Sequence, residues 1–188
     1  VQAIHEATIQ VLLACGKENL TTTKVAARAG VSVGTLYQYF PNKSALLQAV
    51  LKDHLYSVAA AVEAVCLEKR ECSLAEMGTS LVTTFLAAKF KDVDAGMALY
   101  AVSDDVGGSA IMREQREKWI RAIAAMLDTA PEKMSVETRL VAATLLASMS
   151  GMSRSILDSG VKKQREVMQR ELVALVSSYL ATCQTNRG

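Results

Sequence analysis

The sequence predicts an all-α fold of about nine helices, and three observations carry that reading. Apolar residues recur at three- and four-residue steps along nearly the whole chain, as they do where one stripe of a helix is buried. No run of strand character bounded by turn residues competes with that period. Only two of the 188 residues are proline, and 51% are hydrophobic against 21% charged, which excludes disordered, collagen-like and low-complexity chains and supplies enough apolar surface for a buried core.

Ile4, Ala7, Thr8, Val11, Leu12 and Cys15 form the first apolar stripe, and Gly16 suits the end of a helix over about residues 2–15. Thr21, Thr22 and Thr23 offer hydroxyl caps to a short second helix through Val25–Ala29, which stops at Gly30. Ser32 can cap a third, Val33–Tyr39, and Pro41-Asn42 ends that one and caps a fourth starting at Lys43. The turn Ala29-Gly30-Val31-Ser32 therefore joins two helices of about two turns each, the length pattern of a helix-turn-helix. Longer helices follow over about 43–69, 73–90, 92–102, 108–128, 135–159 and 162–183. Their boundaries fall at Glu71-Cys72-Ser73, Lys91-Asp92, Asp104-Asp105 with Gly107-Gly108, Pro131, and Ser159-Gly160. There is no internal repeat and no flexible linker. The fourth helix is expected to lead from a small N-terminal unit, residues 1–45, into a larger bundle, residues 46–188, so that the two move as a coupled body.

A formal charge of +2 does not by itself announce a nucleic-acid binder, so the distribution decides. Lys17, Lys24, Arg28, Lys43 and Lys52 stand against a lone Glu18 between positions 17 and 52, which makes that stretch basic and the remainder of the chain slightly acidic. Cys15, Cys66, Cys72 and Cys183 form no CxxC pair and no zinc-ligand spacing, and read as buried or incidental thiols in a reducing cytoplasm. A Cys66–Cys72 disulfide would need a Cα separation that a continuous helix does not provide. The apolar stretches Leu140–Ser153 and Leu172–Asn186 are shorter than the roughly 18–20 residues of a membrane span. The start lacks the basic n-region of a signal peptide, and because it is Val1 rather than Met, there is room for a preceding basic arm. No GxGxxG, GxxxxGK[ST] or HExxH motif occurs, and His5 and His54 have no carboxylate or cysteine at ligand spacing. Asp92, Asp94 and Gly96 begin like a calcium loop, but its ligand positions 5 and 12 would fall on Gly96 and Ser103. Neither enzyme activity, nor a metal, nor a cofactor is expected.

The run Leu20-Thr21-Thr22, Val25-Ala26, Ala29-Gly30-Val31-Ser32, Gly34-Thr35-Leu36-Tyr37, Tyr39-Phe40, Lys43 and Leu46-Leu47 resembles the N-terminal domain of the TetR family of bacterial transcriptional regulators. The resemblance is clear over about residues 1–55. It implies an all-helical homodimer of nine or so helices that binds palindromic operator DNA and releases it when a small molecule occupies the C-terminal domain. It also implies phosphate contacts by Thr22, Tyr37 and Lys43, and it puts Thr23 where some members contact a base.

The residues themselves support DNA reading. A recognition helix must bring its first turn to the major-groove floor, and Val33, Gly34 and Thr35 are small enough to allow that. Gly34 costs a helix roughly 1 kcal/mol relative to Ala, a cost that close approach to DNA would explain, the alternative being a poor helix former tolerated in a first turn. Val33 can touch a thymine methyl and Thr35 a base edge or phosphate, while Gln38 can read adenine, meet phosphate or be plainly solvated. Leu36 and Phe40 are expected inward and Tyr39 outward at the DNA. Lys43 lies in a first helical turn, where free N–H groups favour an anion, and Lys24 and Arg28 either add attraction or are solvated.

In the larger bundle, Phe85, Phe90, Met97, Tyr100, Met112, Trp119 and Met126 fall on the middle helices. They suit either ordinary core or the wall of an apolar cavity. Phe85, Met97, Tyr100 and Trp119 are the ligand candidates, with Arg116 drawing an anionic or carbonyl-bearing ligand if it points inward. The last two helices are apolar nearly all round, which calls for a core on one side and a partner on the other. Leu145, Met149, Gly151, Met152, Leu172, Val176 and Tyr179 are the expected dimer contacts in a four-helix interface. The sequence thus predicts a cytoplasmic, dimeric, ligand-responsive regulator, most simply a repressor, binding double-stranded operator DNA and released by an apolar or amphipathic effector. A helical small-molecule-binding or catalytic protein with a merely structural N-terminal unit, and a regulator without an effector, are the alternatives.

Overall fold

The computed structural model describes residues 1–159 and 164–185. Nine α-helices run through them: α1 Gln2–Asn19, α2 Thr22–Ala29, α3 Val33–Tyr39, α4 Lys43–Glu68, α5 Leu74–Lys89, α6 Val93–Ser103, α7 Gly108–Leu127, α8 Thr138–Ser159 and α9 Gln164–Thr182. A short 3-10 turn, Asp104–Val106, separates α6 from α7. The helices gather into two compact units, one of Val1–Tyr56 with Asp92–Arg113 and one of Ser57–Lys91 with Glu114–Gly188, and α4 and α7 contribute residues to both.

In the first unit, local chemistry sets nearly every boundary. The stripe of α1 ends at Cys15 as the spacing predicts, but the helix breaks rather than stops: Gly16 takes φ 72°, ψ 171°, and Lys17–Asn19 add a last turn. Thr21 caps α2 by accepting the Lys24 N–H, and Gly30 closes it in the left-handed region at φ 69°, where a side chain would be strained. The Ser32 hydroxyl accepts the Thr35 N–H at 2.9 Å, and the Asn42 side-chain oxygen accepts the Ala45 N–H at 2.8 Å, opening α3 and α4. Ile4, Val25, Leu36, Leu46 and Leu51 share one buried cluster with Leu99 and Val102 of α6. Thus α6 packs on α1, a contact between segments about ninety residues apart that no local pattern announces.

The second unit is built on α5, α8, α9 and the parts of α4 and α7 that belong to it, around Met77, Leu81, Phe85, Ile123, Leu145 and Val176. Ser73 and Glu76 form a capping box at the start of α5, each side chain bonding the other's backbone N–H. The beginning of α5 meets the end of α7, because the Glu71 N–H reaches the Thr129 hydroxyl at 2.9 Å and the Leu74 N–H reaches the Glu132 carboxylate at 3.2 Å. The two helices therefore run antiparallel. Gly78 lets α9 approach α5 closely: a Cβ there would lie 2.7 Å from Leu180 Cδ1. The eighth helix starts at Thr138 rather than 135, since the preceding segment pairs instead with the end of α9. Ser135 N–H donates to the Cys183 carbonyl and Thr185 N–H to the Lys133 carbonyl, both at 2.8 Å, around an isolated bridge between Met134 and Gln184. The predicted break at Ser159-Gly160 and the start of the last helix at 162 lie partly outside the described residues.

Candidate nucleic-acid interface

Capping by Ser32 and the hydrophobic anchors Leu36 and Phe40 fix which face of α3 turns outward. Leu36 is 0% exposed and Phe40 7%, whereas Tyr37 is 47% and Tyr39 56% exposed. Gly34 and Gln38 are also exposed, and Val33 and Thr35 are partly so. The inward and outward assignments made from sequence therefore hold for Leu36, Phe40 and Tyr39. A Cβ built on Gly34 would meet only the Ser32 hydroxyl, at 3.6 Å, so nothing inside the protein requires a glycine there.

Two of the expected phosphate contacts, Thr22 and Tyr37, come together, and Lys43 is held apart from them at the end of α1. The Thr22 hydroxyl of α2 lies 3.1 Å from the Tyr37 hydroxyl of α3. One O–H suffices for that bond, so the other keeps its proton for an outside acceptor such as a phosphate oxygen. Lys43 Nζ donates to the Lys17 carbonyl at 2.7 Å, which anchors the ammonium at the end of α1 and leaves two N–H groups free of that bond. Lys24 Nζ likewise donates to the Asn19 carbonyl at 2.8 Å, and Arg28 Nε to the Gln10 side chain at 2.6 Å. Thr23 is exposed. Lys17 is balanced by Asp105 of the 3-10 turn, 2.9 Å away, whose hydrogen bond and charge hold the ammonium above its usual pKa. A cleft of about 300 Å³ opens beside this pair, between the last turn of α1, the first turn of α4 and the 3-10 turn. In the sequence Asp104-Asp105 has the character of a solvated turn, because the partner of Asp105 is 88 residues away.

One pattern in this unit has a catalytic look. Gly30-Val31-Ser32-Val33-Gly34 has the spacing of a nucleophile elbow, which requires a strand before the serine and an exposed hydroxyl. Here a helix precedes it, and the Ser32 hydroxyl is engaged with the backbone and side chain of Thr35. His5 finds a carboxylate that its neighbours in sequence do not supply, with Nδ1 3.2 Å from Asp53 and the ring 5.7 Å from that of Phe40. Among the described residues no group of His, Cys, Asp and Glu is arranged to hold a metal. The four cysteines are free, and burial, followed by the charge of Glu63, pushes the Cys66 thiol up to about 12, which keeps it protonated and unreactive.

The ligand candidates separate. Phe85 and Trp119 meet edge to face in the second unit, their centroids 6.2 Å apart at 85°. Met97 and Tyr100 belong to the first unit, where Met97 is exposed and Tyr100 partly buried, and Arg116 is exposed. A residue unmarked by sequence reasoning joins the aromatic pair. Gln115, one turn before Trp119, is buried, and neither its side-chain N–H group nor the Trp119 indole N–H has an acceptor among the described residues. A buried donor left unbonded costs about 1–3 kcal/mol, so two on one helical face are an arrangement waiting for an acceptor.

The dimer candidates separate as well. Leu145, Met149, Leu172 and Val176 are buried in the core of their own unit and have no surface to offer a partner. Met152 and Tyr179 are partly buried and Gly151 is exposed. The outward faces of α8 and α9 instead carry Leu140, Ala147 and Gly151, and Val167, Ala174 and Leu175. A helix apolar all round does not reveal from spacing alone which side its own core takes.

Residues 4–50 match the family model described as bacterial regulatory proteins, tetR family, and residues 73–180 match that of the tetracyclin repressor-like C-terminal domain. Among solved structures, a transcriptional regulator from Rhodococcus sp. Rha1 is 21% identical, with 98% of each chain covered and a TM-score of 0.77. The transcriptional regulator FadR from Bacillus subtilis, in complex with stearoyl-CoA, is 17% identical over 94% of this chain and 97% of that one, with a TM-score of 0.72. The fatty acid degradation regulator FadR from Bacillus halodurans is 17% identical over 93% of each chain, again at 0.72. At these identities the likeness is one of fold. No curated protein matches the chain.

Proposed function

This chain belongs to the TetR family of bacterial regulatory proteins, and from that membership we propose that it is a repressor that binds palindromic operator DNA as a homodimer and leaves it when an amphipathic effector binds. The observation that carries the DNA reading is the outward face of α3. Gly34 is open to solvent with no internal need for a glycine, and the paired hydroxyls of Thr22 and Tyr37 join the same helix to α2. Val33, Gly34, Thr35 and Gln38 would face base edges, while Thr22, Tyr37, Tyr39 and Lys43 would hold phosphates, with Thr23 at the margin.

Two reading heads fit successive major grooves only at a separation of about 34–36 Å or a suitable multiple, so an effector that alters their spacing need never touch DNA. The buried, acceptor-less donors Gln115 and Trp119 beside Phe85 support an effector site in the second unit. Dimerisation would use the exposed small and apolar residues of α8 and α9, among them Gly151, where an added methyl would meet no atom of this chain within 4 Å.

Selection of bound duplexes from random DNA tests the proposal. An enriched inverted repeat supports it, and an unenriched pool would leave only the reading of a small-molecule-binding protein with a structural N-terminal unit. Competition of the selected duplex with candidate effectors then separates an effector-responsive regulator from one whose C-terminal unit is simply filled.

A further inference from the structure

We propose that the effector presents an oxygen acceptor, a carboxylate or a carbonyl, to the side-chain N–H groups of Gln115 and Trp119, with an apolar body lying beside Phe85. The inference rests on the effector-responsive reading above and names the chemistry of that site. Gln115 and Trp119 lie four residues apart on α7, hence on one face, and are 3% and 6% exposed. Neither Gln115 Nε2 nor Trp119 Nε1 has an acceptor among the described residues, and neither atom touches solvent. Both donors are shut off from bulk solvent, and a single acceptor group inserted into the layer would satisfy them together.

The surroundings choose the class of that group. Phe85 stands edge-on to Trp119. Because α5 and α7 run antiparallel, the residue one turn beyond Phe85 is level with the residue one turn before Trp119. Those residues are Lys89, buried at 5% exposure, and Gln115. A layer with two N–H donors favours a head that bears an oxygen acceptor and disfavours a cationic one. Core residues Leu81, Leu86 and Ile123 around the pair supply apolar contact for the rest of the ligand.

Calorimetric titration of the full chain, without DNA, tests this with three probes that share one alkyl tail: dodecanoate, its methyl ester and dodecylamine, each below its micelle concentration. Dodecanoate and the ester are expected to bind, and the amine at least about tenfold more weakly. Trp119→Phe and Gln115→Leu should each weaken dodecanoate by about tenfold, the loss of one hydrogen bond. Without ligand, the melting temperature of Gln115→Leu should stay level or rise, because that substitution removes a donor that has no acceptor. Should either variant fold poorly, Gln115→Met keeps the side-chain length, and Trp119 emission in that variant reads probe binding. Equal affinity for the amine, no binding of either oxygen-bearing probe, or undiminished affinity in the folded variants would overturn the inference. Operator selection is measured separately, so failure of the probes with a selected operator in hand sinks only this inference.

Discussion

Replacing Gly34 separates what the fold needs from what DNA needs. In the free protein a methyl at this position meets only the Ser32 hydroxyl at 3.6 Å, an ordinary contact. Gly34→Ala therefore removes unfolded-chain entropy without a clash and should stabilise the protein by about 0.5–1 kcal/mol. For a chain of 188 residues that is a rise in melting temperature of about 1–4 °C. Gly34→Leu gains the same helix propensity but projects a branched side chain where the groove floor would be, and should weaken operator binding by at least about 100-fold, or about 2.7 kcal/mol. Scanning calorimetry and quantitative gel shifts on the same preparations give both numbers. A Gly34→Leu protein that binds operator as the parent does would refute the assignment of α3 as the reading helix, whatever its stability.

Lys43→Ala should weaken specific and nonspecific duplexes alike and reduce the slope of log affinity against log salt by about 0.9 per lost phosphate contact, about 1.8 in a dimer, as read by filter binding across a salt series. Gly151→Trp meets open space within one chain, so the fold should persist while sedimentation shows the dimer split; an intact dimer would move the interface elsewhere. Glu76 is held below its usual carboxylate pKa first by the Ser73 hydroxyl and then by the Ser73 N–H. The capping box thus adds stability at pH values above the unfolded pKa, about 4.5, and loses it as pH falls through the lower folded value. Urea titrations of Ser73→Ala should show that increment missing at neutral pH and the difference from the parent shrinking in acid.

The DNA-binding unit was legible because its determinants are local. Ser32, Asn42 and Gly30 announce helix ends within three residues of the groups they bond, and Leu36 and Phe40 reveal their inward face by spacing. What escaped the sequence depends on distant partners. Asp105 looks like a solvated turn residue until α6 and its turn are packed on α1 and bring it to Lys17. Gln115 stands between charged Glu114 and Arg116 and reads as surface, although α7 turns it into the core. In α8 and α9 the apolar pattern lacks a phase, so Leu145, Met149, Leu172 and Val176 suit a partner as well by spacing as they suit the core that in fact buries them.

Sequence-specific reading of DNA through α3 is tested most directly by the affinity ratio between the selected duplex and a scrambled duplex of equal length, measured at physiological salt. The expected ratio is about 10³ or more, with two half-sites centred about 34–36 Å apart or a suitable multiple. A ratio near one, with binding that vanishes as salt rises, would mean that the basic face of the first unit attracts DNA without reading it.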